Sequence, residues 1–244
     1  MKNLFSSQII KQSIKSCWIW LAVLSFVTSL NLLAFPTMVE ADTDAGQLLS
    51  MFVDIGIGGN GIIFTIMFAV ICANTFITSE VDKGTLSVYL NTPTTRSQIL
   101  LSRMLVFVST LILFTLVVGI VGTVSPIMHG VEFNHGKWWT IVVLWMMYSI
   151  LAGGITFAVA CWFNKSRFTL ITASAILGGF FLLHMLAAID DLSFLRFLTL
   201  QTLFDTGAVL DGNSVTWQII VMPVIAIPLY VFGVIKFLRK DLHI

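Results

Sequence analysis

The chain has 244 residues, of which 57% are hydrophobic and only 10% charged, with a mean hydropathy of +0.97. A soluble domain carries about 25% charged residues, so a soluble globular fold is excluded and an all-α polytopic membrane protein is implied. A net charge of +1 leaves no basic footprint for nucleic acid.

In chain order, residues 1–16 come first. Phe5, Ile9, Ile10 and Ile14 make a stripe, and Lys2, Lys11 and Lys15 stand among serines and glutamines. This reads as an interfacial amphipathic helix; a frayed basic tail is the alternative. The apolar run that follows ends in "NLLAFP" with no small-x-small cleavage site, so it reads as a span and not as a signal peptide. A helix needs about 20 apolar residues to cross the hydrocarbon core. Six stretches qualify, at about 17–35, 55–78, 99–124, 138–163, 168–189 and 215–235. Residues 17–244 therefore read as a single transmembrane domain.

Lysine and arginine placement sets the direction. With the N-terminus inside, Lys2, Lys11, Lys15, Lys83, Arg96, Arg103, Lys165, Arg167, Lys236, Arg239 and Lys240 are cytoplasmic, and only Lys137 and Arg196 are external. Both termini are then expected in the cytoplasm. Asp190 to Asn213 forms a long, half-apolar external segment in which Leu192, Leu195, Phe197 and Leu198 suggest a short re-entrant or interfacial helix.

Several chemistries lack their residues. No G-x-x-x-x-G-K-[ST] loop, no H-E-x-x-H and no G-x-S-x-G occurs, so no catalytic residue is assigned. No carboxylate falls well inside a span, which argues against a proton- or sodium-coupled carrier. His129, Glu132 and His135 have helical spacing for a metal, but Gly130, Asn134 and Gly136 favour a solvated loop there. Cys17, Cys72 and Cys161 lie in apolar runs and read as small hydrophobes. His184 lies near the outer end of the fifth span. It is a candidate pathway residue with Asn31 and Asn60, against interfacial packing or simple helix joining. Asn60 falls in "GIGGNG", whose glycines let backbones approach or the helix unwind. Thr115, Gly119 and Thr123, and Ser174 with Gly178, make small-residue faces that permit close helix contact.

The stretch "SEVDKGTLSVYLNTPTTRSQ", Ser79 to Gln98, interrupts the apolar chain. Ser79 and Asp82 resemble an N-terminal capping pattern. Gly84 permits a bend and Thr85 can cap a short helix. Leu86, Tyr89 and Leu90 fall on one face of that helix, and Pro93 stops it. Thr95 and Gln98 form a T-x-x-Q capping box for the third span. By pattern alone this element is a short amphipathic helix on a membrane surface or against a partner.

Glu80-x-Asp82-x-Gly84-Thr85-Leu86, followed by Leu90, Pro93, Arg96 and Arg103, resembles the E-x-E-x-G-T-L…L…P…R…K/R signature of type-2 ABC transporter permeases. It stands where those proteins have it, between the second and third of six spans. Asp82 replaces the more usual glutamate, and Arg103 stands where lysine is common. The resemblance implies a permease that pairs with a second copy or a paralogue and associates with two separate ATP-binding subunits, which carry the ATP and Mg²⁺. This chain itself would hold no cofactor. Residues 84–91 would be the coupling helix seated on the ATPase. Asn164, Lys165 and Arg167, in the short turn between the fourth and fifth spans, would make a smaller second contact. The size and style resemble bacterial peptide and drug exporters, such as those for phenol-soluble modulins or lantibiotics. The expected role is export of an amphipathic or lipophilic cargo across the bacterial cytoplasmic membrane. A non-transporting scaffold or sensor, and an intramembrane enzyme, are the alternatives.

Overall fold

A computed structural model describes residues 7–34, 45–84, 95–187, 189, 192, 194, 195 and 199–240. Six long helices carry the fold: α1 (Ser7–Ala34), α2 (Gly46–Asp82), α3 (Arg96–Met128), α4 (His135–Trp162), α5 (Ser166–Leu186) and α7 (Thr216–Leu238), with the short α6 (Thr206–Leu210) between the last two. Each of the six is long and apolar enough to cross a membrane. The protein is an all-α polytopic membrane protein.

Two helices differ from the sequence reading. First, α1 runs unbroken from Ser7 to Ala34, so residues 7–16 form the opening turns of the first span helix. No glycine or proline interrupts that stretch, and Ile9, Ser13 and Cys17 are buried at four-residue spacing along it. Second, α2 extends beyond both predicted ends and reaches Asp82. Ser79 is therefore no N-cap. Its backbone is helical, at φ −62° and ψ −32°, whereas a cap residue leaves the helix. Within α2, Asp54–Gly61 and Asn74–Thr78 are π-helical. The first of these holds the "GIGGNG" glycines. They widen the helix without unwinding it and let α1 and α4 come close. A Cβ on Gly56 would stand 2.3 Å from the Leu32 side chain, and one on Gly61 would stand 3.4 Å from the Trp145 ring.

The core is built on α4. In its most apolar window 72% of residues are buried, against 17% for α5. Trp138, Trp145 and Tyr148 are fully buried along α4. In lipid a buried polar tip needs a partner inside the protein, and each has one. Trp138 Nε1 donates to the Gly119 carbonyl at 3.0 Å, and Trp145 Nε1 donates to Thr65 Oγ1 at 2.9 Å. Tyr148 OH accepts from Gln201 Nε2 at 3.2 Å. These contacts tie α4 to α3, to α2 and to the 3₁₀ turn Leu200–Leu203. The small-residue face of α3 is thereby assigned to packing within the chain, since Gly119 meets Val142 and Gly122 meets Trp138. Gly178 and Gly179 on α5 face open space.

At the end opposite Glu80, α6 is capped by Asp205, whose Oδ1 accepts from the Ala208 amide at 3.0 Å. Lys137 Nζ donates to the Leu210 carbonyl and fastens this segment to α4. Leu192 and Leu195 lie in short 3₁₀ pieces; Phe197 and Leu198 fall outside the described residues. His129 and His135 stand on either side of the turn that separates α3 from α4. No group of metal ligands occurs among the described residues.

Candidate functional site

The ends of α2, α4 and α7 meet the starts of α3 and α5 at one pole of the bundle, and a set of polar contacts joins them. Arg103, about two turns into α3, is only 3% exposed. A buried guanidinium needs a counter-charge and acceptors. Glu80 near the end of α2 supplies the charge through an ion pair with Nη2. The Phe76 carbonyl accepts from Nη1 at 2.8 Å. That carbonyl lies within the π-helical turn Asn74–Thr78. A π turn spaces its hydrogen bonds more widely than an α turn does, and Arg103 occupies the acceptor there.

Asp82 reaches in a second direction. Its Oδ2 accepts from the Ser166 amide at 3.1 Å. Ser166 is the first residue of α5, and no side chain of its own N-cap residue, Lys165, bonds there. The first amides of a helix have no intrahelical acceptor and carry partial positive charge, so an aspartate from a distant helix serves as the cap. One turn deeper, Thr78 Oγ1 donates to the Ala160 carbonyl at 3.1 Å and pairs with Thr169 Oγ1 at 3.0 Å. Thus Thr78, Glu80 and Asp82 bind the last turns of α2 to α3, α4 and α5.

Beyond Asp82 the chain turns at Gly84, whose φ of +68° lies in the left-handed region that glycine alone adopts without strain. Thr95 is the N-cap of α3. The Thr95 side chain accepts from the Gln98 amide, and the Thr95 amide donates to Gln98 Oε1 at 3.0 Å, which completes the expected capping box. Thr85, Leu86, Tyr89, Leu90 and Pro93 lie outside the described residues. The structure therefore describes both abutments of this segment. Arg96 is exposed at the start of α3.

Asn164, Lys165 and Arg167 are exposed on the turn between α4 and α5. The three candidate pathway residues stand on three helices. Asn31 donates to the Val27 carbonyl of its own helix at 2.8 Å. Asn60 is half-buried in the first π segment. His184 lines a pocket of about 260 Å³ with Gln201, Thr202, Phe204, Asp205 and Thr206, which neither asparagine enters. A larger groove of about 350 Å³ opens between α2 and α5. It is almost wholly apolar, lined by Ile63, Met67, Ile71, Leu170, Ser174 and Phe181 among others.

In the sequence Arg103 and Lys240 read only as charges that orient the chain, with Arg103 also in the signature. Their partners stand far off in sequence. Lys240 Nζ donates to the carbonyls of Cys161 and Phe163 at 3.1 and 2.8 Å. Cys17 and Cys72, read separately as small hydrophobes, meet across α1 and α2 with sulfurs 2.7 Å apart. The sequence signals for the Glu80–Arg103 pair are opposite charge at the facing ends of two apolar runs and a shared place in the signature.

No curated protein matches the chain. A family model described as ABC-2 family transporter protein matches residues 11–181, more than two thirds of the sequence. That match contains the whole Glu80–Arg103 clasp and the turn between α4 and α5. The chain belongs to the ABC-2 family of transporter proteins, as a membrane permease.

Proposed function

We propose that the protein is the permease subunit of an ATP-driven exporter in the bacterial cytoplasmic membrane. It works as a pair with a second copy or a paralogue and on two separate ATP-binding subunits, which bind ATP and Mg²⁺ and perform the hydrolysis. The pole that carries Lys83, Arg96, Lys165, Arg167 and Arg239 faces the cytoplasm, by the excess of cations there. Residues 84–91 are the coupling helix, with Leu86, Tyr89 and Leu90 as its partner-facing residues. Asn164, Lys165 and Arg167 make the second contact. The first turns of α1 stand at the cytoplasmic membrane interface and continue directly into the first span.

The observation that carries this reading is the bracing on either side of 85–94. Glu80 and Asp82 hold its near abutment to α3 and α5, and the Thr95–Gln98 box fixes its far one. A push on a segment held in this way moves packed helices as a body. The apolar groove between α2 and α5 supports an amphipathic or lipophilic cargo, peptide or drug-like. The test is co-expression with the ATP-binding subunit and reconstitution into vesicles. ATP-dependent movement of an amphipathic peptide supports the reading. It fails if Leu86, Tyr89 and Leu90 can all be changed to Ser with partner binding and coupling intact.

A further inference from the structure

We propose that Lys240 is a positioning residue for the turn between α4 and α5, holding it in place for the ATP-binding partner from the side opposite Asp82. This rests on the reading of that turn as a partner contact.

The turn, residues 163–165, has a charged helix end on each shoulder. The last carbonyls of α4 lack intrahelical donors and carry partial negative charge, and the first amides of α5 carry partial positive charge. Lys240, just beyond the end of α7, places its ammonium on the first shoulder through the carbonyls of Cys161 and Phe163. Asp82, at the end of α2, places its carboxylate on the second through the Ser166 amide. Two spans distant in sequence thus clamp three residues with opposite charges, each of the sign that its helix end favours. Lys236 adds a further grip, with its ammonium 4.2 Å above the Trp162 ring in the last turn of α4. The side chains of Asn164, Lys165 and Arg167 remain exposed. The clamp consumes the backbone of the turn and leaves its side chains for a partner.

The clamp is also titratable. Burial lowers the Lys240 ammonium from 10.5 to about 8, with Cys161 of α4 acting to raise it and Lys236 of its own helix to lower it. Lys165 and Arg167 flank the turn and Asp82 holds its far side; Asp241 and His243 follow in sequence and lie outside the described residues. Near neutral pH the ammonium makes charge-assisted bonds. Above its pKa it is a neutral amine that donates more weakly and has lost its attraction to the helix end. The folded value is depressed, so between about 8 and 10.5 the unfolded chain binds the extra proton, and this group's contribution to stability rises with pH. A turn that loosens as pH rises is therefore distinct from unfolding.

The experiment uses the full chain in phosphatidylcholine nanodiscs with Asn164→Cys carrying a nitroxide. Cys17, Cys72 and Cys161 are buried and leave position 164 to the label. The line shape is expected to be immobile near neutral pH and to sharpen as pH is raised to about 9.5, with its midpoint near the Lys240 value. Lys240→Arg, which stays charged, is expected to remain immobile throughout. Lys240→Gln is expected to be mobile throughout. The same pH response in Lys240→Arg as in the wild type, or an immobile label in Lys240→Gln, overturns the clamp. In vesicles with the ATP-binding partner, Lys240→Gln is expected to lower transport per ATP by about threefold or more, and Lys240→Arg to restore it. Unchanged coupling in Lys240→Gln overturns the positioning role even if the clamp is present. If no ATP-binding partner associates with the wild-type chain, the ATP-driven exporter reading fails and the partner role of Lys240 with it. The line shapes, which need no partner, then decide the clamp alone.

Discussion

Replacing Glu80 with Ala removes the carboxylate that neutralises Arg103. Arg103 is 3% exposed while Glu80 is 23% exposed, so the two single truncations are not equivalent. Glu80→Ala leaves a guanidinium in the interior without this counter-charge, while the Phe76 carbonyl still accepts from Nη1. Breaking a buried pair from one side costs about 3–5 kcal/mol, and the lower end applies here because Glu80 has partial access to water. Arg103→Met leaves a carboxylate that can turn to water, at a cost of about 1–2 kcal/mol. For a chain of this size each kcal/mol lowers Tm by about 2–4 °C. The expected losses are thus about 6–12 °C for Glu80→Ala and about 2–8 °C for Arg103→Met. The double variant is expected to lie close to Arg103→Met alone, because no buried charge remains and a methionine fills the space of the stem. Thermal unfolding in detergent, followed by the exposure of buried cysteine to a thiol-reactive dye, reads all three. Losses that simply add in the double variant would refute the pair, and equal losses in the two singles would refute its asymmetric burial.

Three further outcomes follow from the packing and the caps. Asp82→Ala removes the α5 cap and is expected to cost about 1 kcal/mol, read as faster hydrogen exchange at the first α5 amides with the rest of the chain unchanged. Gly122→Ala puts a Cβ 2.1 Å from the buried Trp138 ring, which is held by its own hydrogen bond. It is expected to cost about 1–3 kcal/mol, whereas Gly178→Ala meets nothing within 4 Å and is expected to leave the Tm of the isolated chain unchanged. Iodine treatment of membranes is expected to join Cys17 to Cys72, so that a chain cleaved between α1 and α2 runs as one species without reductant. Two separate fragments would place the sulfurs apart.

The spans were legible because a run of about 20 apolar residues has few other uses. The Thr95–Gln98 box and the Gly84 bend were legible for the same reason: each is a local pattern whose partners lie within a turn of helix. Ser79 shows where local pattern fails. A serine three residues before an aspartate caps only if the backbone leaves the helix there, and burial of Phe76, Ile77 and Thr78 against α4 and α5 carries α2 onward to Asp82. The result is informative, since continuation of the helix is what aims Glu80 at Arg103 and Asp82 at Ser166. Contacts such as Lys240 with Phe163, or Cys17 with Cys72, join positions on different helices. Nothing in the residues near either member marks its partner, so they were illegible in principle from a single sequence. The family signature was legible in type and order. That Glu80 and Asp82 brace the bundle is a property of the folded helices.

The central claim is that force on residues 85–94 reaches the spans through the Glu80 and Asp82 ties. Its most direct measurement is transport per ATP in vesicles holding the permease and its ATP-binding partner, compared between wild type and the Glu80→Ala/Arg103→Met double variant. The account predicts that the double variant folds, keeps its partner and hydrolyses ATP, yet moves several-fold less cargo per ATP, on the order of the couplings carried by such networks. Wild-type transport per ATP in that variant would contradict it.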